Sequence, residues 1–258
     1  MKAVTESDQT VKEGFRFGHR GAHSSRTIMV VDLVSVFAHC SPTATRADYR
    51  AAIVDDNLLG KHTVSTRVET FERLSALYLL DPSKQMFQAL RWYWKQGADS
   101  QPMLALLTAI ARDPLLRATA PAIMAMPPDA EFVKADLSAA VKAIDPDHFK
   151  PAILDKISVN AGSSWSQAGF LHGRSPKRRI CPPMTPVTVA YALYLGALEG
   201  LSGDRLLDTL WVSLLDHPRH QVESVAQDAA ARQLLDYRRA GSVRDISFRN
   251  LESARGQG

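Results

Sequence analysis

The chain has little cysteine. Cys40 and Cys181 are the only two in 258 residues, they lie far apart, and neither belongs to a Cys-x-x-Cys pair. That excludes a disulfide framework and a zinc knuckle and argues for a reduced, cytoplasmic setting. Long apolar runs are missing too: the best candidate, Ile28 to Ala38, falls short of the ~20 residues that cross a bilayer and carries Asp32. Met1 to Asp8 shows no apolar core behind Lys2, so no secretory signal is expected. There is no P-loop, Rossmann fingerprint, Gly-x-Ser-x-Gly elbow or His-Glu-x-x-His pattern, and no repeat of fixed period. These absences favour a non-enzymatic protein with no catalytic residue, no cofactor and no metal. His217 and His220 stand three apart, but Pro218 interrupts them and the segment reads as a loop. His19 and His23, with Arg20 and Arg26, have the chemistry to grip a phosphate, yet no carboxylate pair with metal spacing accompanies them.

What is present is enough apolar material for a core, with 45% hydrophobic and 22% charged residues. The balance of 31 Lys and Arg against 27 Asp and Glu gives a net charge of +4. The distribution is more informative than the sum. No acidic residue occurs between Asp155 and Glu199, a stretch that holds Lys156, Arg174, Lys177, Arg178 and Arg179. Near the start, Lys12, Arg16, Arg20 and Arg26 meet only Glu13. Segregated charge of one sign makes a field that attracts anionic partners.

The periodicity is that of a mainly α protein with a minor β component. Residues 1–26 are polar, lack a sustained period and read as a flexible arm. Helices are expected at 27–39, 46–56 (Thr45 as N-cap), 63–80 (Thr63 or Ser65 as N-cap), 83–96, 101–112, 114–125, 134–144 and 147–158. A short helix should follow from Ser163 to Leu171, then helices at 187–199, 204–216 and 220–239, a single strand in 242–248 and a flexible tail over 249–258. Pro-rich joints near 126–150 suggest a division into helical domains at 27–126 and 147–248.

Two stretches have a helix-turn-helix plan. In the first, helices 46–56 and 63–80 flank the turn from Asn57 to His62, and Lys61, Ser65 and Arg67 stand where a second helix meets a phosphate backbone. An ordinary helical hairpin reads the same way. In the second, helix 147–158, the turn Asn160-Ala161-Gly162 and the short helix from Ser163 precede a basic hairpin, in the order of a winged helix. Ser164, Ser166 and Gln167 become groove or backbone contacts there, Gln167 being suited to adenine, and Arg174, Lys177, Arg178 and Arg179 form the wing. A solvated basic loop or a docking surface for an acidic protein is the alternative. Trp165, Trp211 and two of Trp92, Tyr93 and Trp94 read as core anchors.

Several stretches resemble the BrxA family, the small helical subunit of BREX bacteriophage-exclusion systems. They are His23 to Met29, Asp48 to Lys61 followed by Ser65 to Arg67, Leu80 to Pro82, Ala111 to Arg117, Ser163 to Leu171, and Thr185-Pro186 leading into Ala190 to Leu193, spread over most of 20–248. The resemblance implies a helical protein with helix-turn-helix character that binds double-stranded DNA and works beside other phage-defence subunits. It carries over no catalytic residues. The expectation is thus a cytoplasmic, weakly sequence-selective DNA-binding accessory subunit without a membrane partner. A helical adaptor between subunits and an RNA-binding helical protein are the alternatives.

Overall fold

A computed structural model describes residues 3–241 and 243–255. In chain order the helices are α1 (Asp8–Glu13), α2 (Val30–His39), α3 (Arg46–Arg50, widening into a π-helical turn over Ala51–Asp55), α4 (Val64–Tyr78), α5 (Gln85–Trp94), α6 (Gln101–Arg112) and α7 (Pro114–Met124). After these come α8 (Lys134–Lys142), α9 (Pro151–Gln167), α10 (Pro186–Leu198), α11 (Leu210–Ser213), α12 (Arg219–Ala231) and α13 (Arg249–Arg255). Two antiparallel hairpins complete the fold: β1 (Leu171–His172) with β2 (Arg178–Arg179), and β3 (Asp236–Ala240) with β4 (Val243–Ser247). The chain is mainly helical with a small β component, as its periodicity implies.

Two helices are buried on nearly every face and form the centre. α10 runs Pro-Val-Thr-Val-Ala-Tyr-Ala-Leu-Tyr-Leu-Gly-Ala-Leu, with no polar face to present to water, and α6 is buried continuously from Met103 to Ala111. Where the two meet, the Thr108 and Tyr191 hydroxyls pair at 2.7 Å. Around them, α2, α4 and α5 contribute Leu33, Val36, Phe37, Phe71, Leu74, Phe87 and Leu90, with Phe37 edge-on to Trp94 at 5.1 Å. The expected anchors are internal: Trp165 and Trp211 are fully buried, and Tyr93 donates its hydroxyl to the Leu234 carbonyl at 2.9 Å. One contiguous cluster joins Phe15 to Leu251 and draws on both halves of the chain, so the core shows no break at 126–150.

The structure departs from the sequence pattern in several places, among them 204–216, where a 3-10 helix over Gly203–Asp208 and the short α11 replace one helix. Residues 160–162 do not turn: α9 is continuous, and its serines fit mid-helix by bonding back one turn, Ser158 to Leu154, Ser164 to Asn160 and Ser166 to Gly162. Gly162 sits in the helix because a Cβ there would come within 2.9 Å of the Phe132 ring. Without that turn there is no second helix-turn-helix; the hairpin β1–β2 follows a single long helix. Residues 236–240, expected at the end of a helix, are strand β3, the partner of the expected strand. Described residues of the arm form α1 and a strap that buries Phe15 and His23, while the tail forms α13 with Leu251 inside. Residues 1–2, 242 and 256–258 lie outside the described residues. Among the described residues no helix is long and apolar enough to cross a membrane.

Candidate anion-binding site

The wing cations are mostly spoken for. Arg179 is 3% exposed, pairs with Asp216 at 2.5 Å, donates to the Ile123 carbonyl and lies 4.9 Å over the Phe170 ring. Arg178 is exposed but pairs with Asp129 at 3.6 Å, and Lys177 donates to the Ser166 hydroxyl at 3.0 Å. Arg174 is exposed. Acids brought from elsewhere in the chain thus meet two cations of the acid-free stretch, Arg178 at the surface and Arg179 in the interior. This corrects the reading of Arg179 as a contact residue, and weakens that of Lys177 and Arg178.

Ser164 is corrected as well. Its hydroxyl is fully buried, meets His23 Nε2 at 2.8 Å, accepts the Ile28 N–H at 2.9 Å and donates to the Asn160 carbonyl at 3.0 Å. His23 Nδ1 in turn meets Asp113 Oδ2 at 2.8 Å, and the His23 N–H donates to the same oxygen. This is the connectivity of a Ser-His-Asp triad, but all three side chains are shut away from solvent, and Ser164 is already committed to backbone partners. Asp113 also caps α7 by accepting the Leu115 and Leu116 N–H groups. Burial pushes its carboxyl pKa up, but His23 and the backbone donors together bring it below the ordinary value. The trio pins the strap to α7 and α9 and offers no nucleophile.

At the first hairpin the expected helices form, α3 with its π-helical turn and α4, with Thr63 capping α4 through the Thr66 N–H. Ser65 is exposed on it. Arg67 turns inward, donating to the Val54 and Lys61 carbonyls, so it is a structural residue and not a contact. Lys61 pairs with Asp32 at 3.0 Å. Lys61 and Gln167, drawn from the two expected motifs, line a single pocket of about 450 Å³ together with Arg26 and Thr66. Gln167 holds the Val30 N–H there, which fixes its carboxamide at the rim.

A second pocket, of about 410 Å³, has a different character. Arg16, His19 and Arg20 of the strap, Arg73 of α4 and His148 of the α8–α9 turn line it, with Leu115, Phe149 and Ile153 as its apolar wall and no carboxylate among the lining residues. Arg16 and Ala76 continue it into a neighbouring pocket of about 360 Å³, which Arg46, Arg112, Glu72 and Asp81 also line. Burial, with Arg16 and Arg46 adding like charge, pulls the Arg112 pKa down to about 9, still fully protonated at neutral pH. The Arg73 Nε is buried without a hydrogen bond; its nearest acid, Glu69, stands 3.9 Å off and is already paired with Arg26 at 2.9 Å. A pocket of guanidinium and imidazole groups around a dry wall suits a phosphate or carboxylate.

The His19 ring stacks near His148, their centroids 4.0 Å apart, and both Nδ1 atoms face Asp145 Oδ2, at 3.9 and 4.0 Å. The sequence reading placed His19 and Arg20 beside a phosphate but missed Asp145 and His148, which lie more than a hundred residues away. Elsewhere, Cys181 Sγ lies 3.5 Å from His217 Nε2. Burial and Asp216 push that thiol pKa up, which leaves it a poor nucleophile. No protein-family model, curated protein or solved structure matches the chain.

Proposed function

We propose that the protein is a non-enzymatic, cytoplasmic double-stranded DNA-binding protein that acts beside other phage-defence subunits, as the resemblance to the BrxA family suggests. Its phosphate contacts come from the Arg16, Arg20 and Arg73 pocket, with the exposed end of α4 and Arg174 as flanking contacts. The observation that carries this reading is the pocket itself: three guanidinium groups and two imidazoles are among its lining residues and no carboxylate is, whereas Arg178 and Arg179 of the wing have acidic partners. Phosphate contacts of this kind give affinity and orientation with little sequence selection. Arg16 and Arg20 are exposed side chains, so replacing them leaves the core intact.

The test is direct binding of a labelled random-sequence duplex to the wild type and to an Arg16→Ala/Arg20→Ala variant at low salt. The variant is expected to bind about tenfold more weakly or worse, at ~1.4 kcal/mol or more for two lost charge-assisted contacts. Equal affinities would reject the pocket as the contact surface. Preference for RNA of the same sequence would replace duplex DNA by RNA as the partner. No nucleic-acid binding at all would leave the adaptor role.

A further inference from the structure

We propose that His19, Asp145 and His148 form a divalent-metal site of zinc type, whose open coordination positions face the arginine pocket and take a phosphate oxygen. Three observations carry it. The donor atoms converge: one ring nitrogen of His19, one of His148 and an Asp145 carboxylate oxygen all lie within 4.8 Å of one another. Two imidazoles and one carboxylate are the donor set of protein sites that keep positions open for an exogenous ligand. At 3.9 and 4.0 Å the imidazole nitrogens are too far from the Asp145 oxygen to hydrogen-bond it, so the three groups are not satisfied by one another. A tetrahedral ion with ~2.0–2.1 Å bonds needs donors about 3.3 Å apart. Each His–Asp pair, at 3.9 and 4.0 Å, must therefore close by several tenths of an ångström, and the two imidazoles, within 4.8 Å, by up to about 1.5 Å.

The frame that holds the donors is well anchored. On one side of His19 the Arg16 N–H bonds the Ala111 carbonyl at 3.1 Å, and on the other the His23–Asp113–Ser164 trio fixes the strap. The α8–α9 turn places Asp145 and His148 three residues apart, with the His148 N–H donating to the Asp145 carbonyl and its ring edge-on to Phe149 at 4.7 Å. His19 and His148 are themselves part of the wall of the 410 Å³ pocket, so an ion on their ring nitrogens sits at the edge of a space otherwise lined by Arg16, Arg20 and Arg73. A cation and guanidinium groups around one cavity favour an anionic co-ligand with several oxygens, which is a phosphate. The ion also ties the strap to the α8–α9 turn. The metal part of this inference is independent of duplex binding; the phosphate part rests on the pocket reading above.

The experiment is isothermal titration of purified full chain with Zn2+, alone and with inorganic phosphate, beside His19→Ala, His148→Ala and Arg16→Ala/Arg20→Ala variants. Circular dichroism melts confirm that each variant folds, and Co2+ replaces Zn2+ for an absorption spectrum. About one ion per chain is expected. Binding should weaken in either histidine variant by more than the ~10–100-fold that an outer-shell partner costs. Phosphate should tighten the wild type and leave the double arginine variant unaffected. The Co2+ spectrum should lack thiolate charge transfer. No stoichiometric ion, or undiminished binding in both folded histidine variants, overturns the site; a thiolate band moves the ion to Cys181 and His217 and overturns it equally. Metal binding that phosphate does not alter refutes the co-ligand. Retained duplex binding in a chain that takes no metal rejects this inference alone, and metal uptake in a chain that binds no duplex rejects only the function proposed above.

Discussion

A buried carboxylate sets the most sensitive residue-scale dependence in this molecule. Asp113 accepts bonds from His23, Leu115 and Leu116 with almost no exposure to water. Asp113→Asn removes a buried carboxylate that accepts hydrogen bonds from His23, Leu115 and Leu116 and is expected to cost about 1–3 kcal/mol. Because the native carboxyl titrates below its ordinary value, its contribution is complete above about pH 4 and is lost as the pH falls through the lower native pKa. Urea melts should therefore show a gap between wild type and Asp113→Asn that is constant near neutrality and narrows in acid. A gap that widens as the pH drops would contradict this assignment. Ser164→Ala leaves the Ile28 N–H and a ring nitrogen without a partner and should cost about 1–3 kcal/mol. Arg179→Ala belongs with these: it should lower stability by up to about 3 kcal/mol, Asp216 being partly exposed, and leave duplex affinity unmoved.

At the scale of elements, long-range contact overrides local pattern in two places. The first is α9. A serine-rich run with Asn160 and Gly162 has the composition of a turn. The buried stripe Leu154, Ile157, Ala161 and Trp165 and the i−4 bonds of the serines carry it as a helix, and the Phe132 ring leaves room only for glycine at 162. Ser163→Pro separates the alternatives. At the first position of a new helix proline is well accepted, but within a continuous helix it removes a backbone bond and should cost ~3 kcal/mol or more. A thermal melt unchanged by Ser163→Pro would restore the turn. The second is the strap. It has no period because its partners, Ala111, Asp113, Asn160 and Ser164, come from α6, the α6–α7 junction and α9. Gly21 passes so close to Asp113 that a Cβ would lie 1.9 Å from its Oδ1. Gly21→Ala should dislodge the strap and expose Arg16, Arg20 and Arg26 to rapid trypsin cleavage, while the wild type is cut there slowly. Equal cleavage rates would mean that the strap is not held. What sequence did reveal was local physics: the Thr45 and Thr63 caps, the extents of α4 to α7 within a few residues, and the inward-facing tryptophans.

For the whole molecule, the main lesson concerns charge. A run of 43 residues without an acid looks like a basic face in sequence. In space Asp129 and Asp216 fold onto it, and the C-terminal cations Arg219, Arg244 and Arg249 are bound up with Asp204, Asp208, Glu223 and Asp236. The strap cations Arg16 and Arg20 meet none of these acids and converge with Arg73 from α4 instead. His19 and Arg20 were legible as phosphate-gripping residues; the pocket was not, because half of it arrives from elements 50 to 130 residues downstream. On the function proposed, this pocket holds duplex phosphates and the acid-paired wing residues Arg178 and Arg179 do not. The most direct measurement is the slope of log binding constant against log salt for a random duplex, in the wild type, in Arg16→Ala/Arg20→Ala and in Arg178→Ala. The pocket variant should lose about 0.9 of slope for each phosphate contact removed, and Arg178→Ala should keep the wild-type slope. An unchanged slope in the pocket variant, or a loss confined to Arg178→Ala, would contradict the claim.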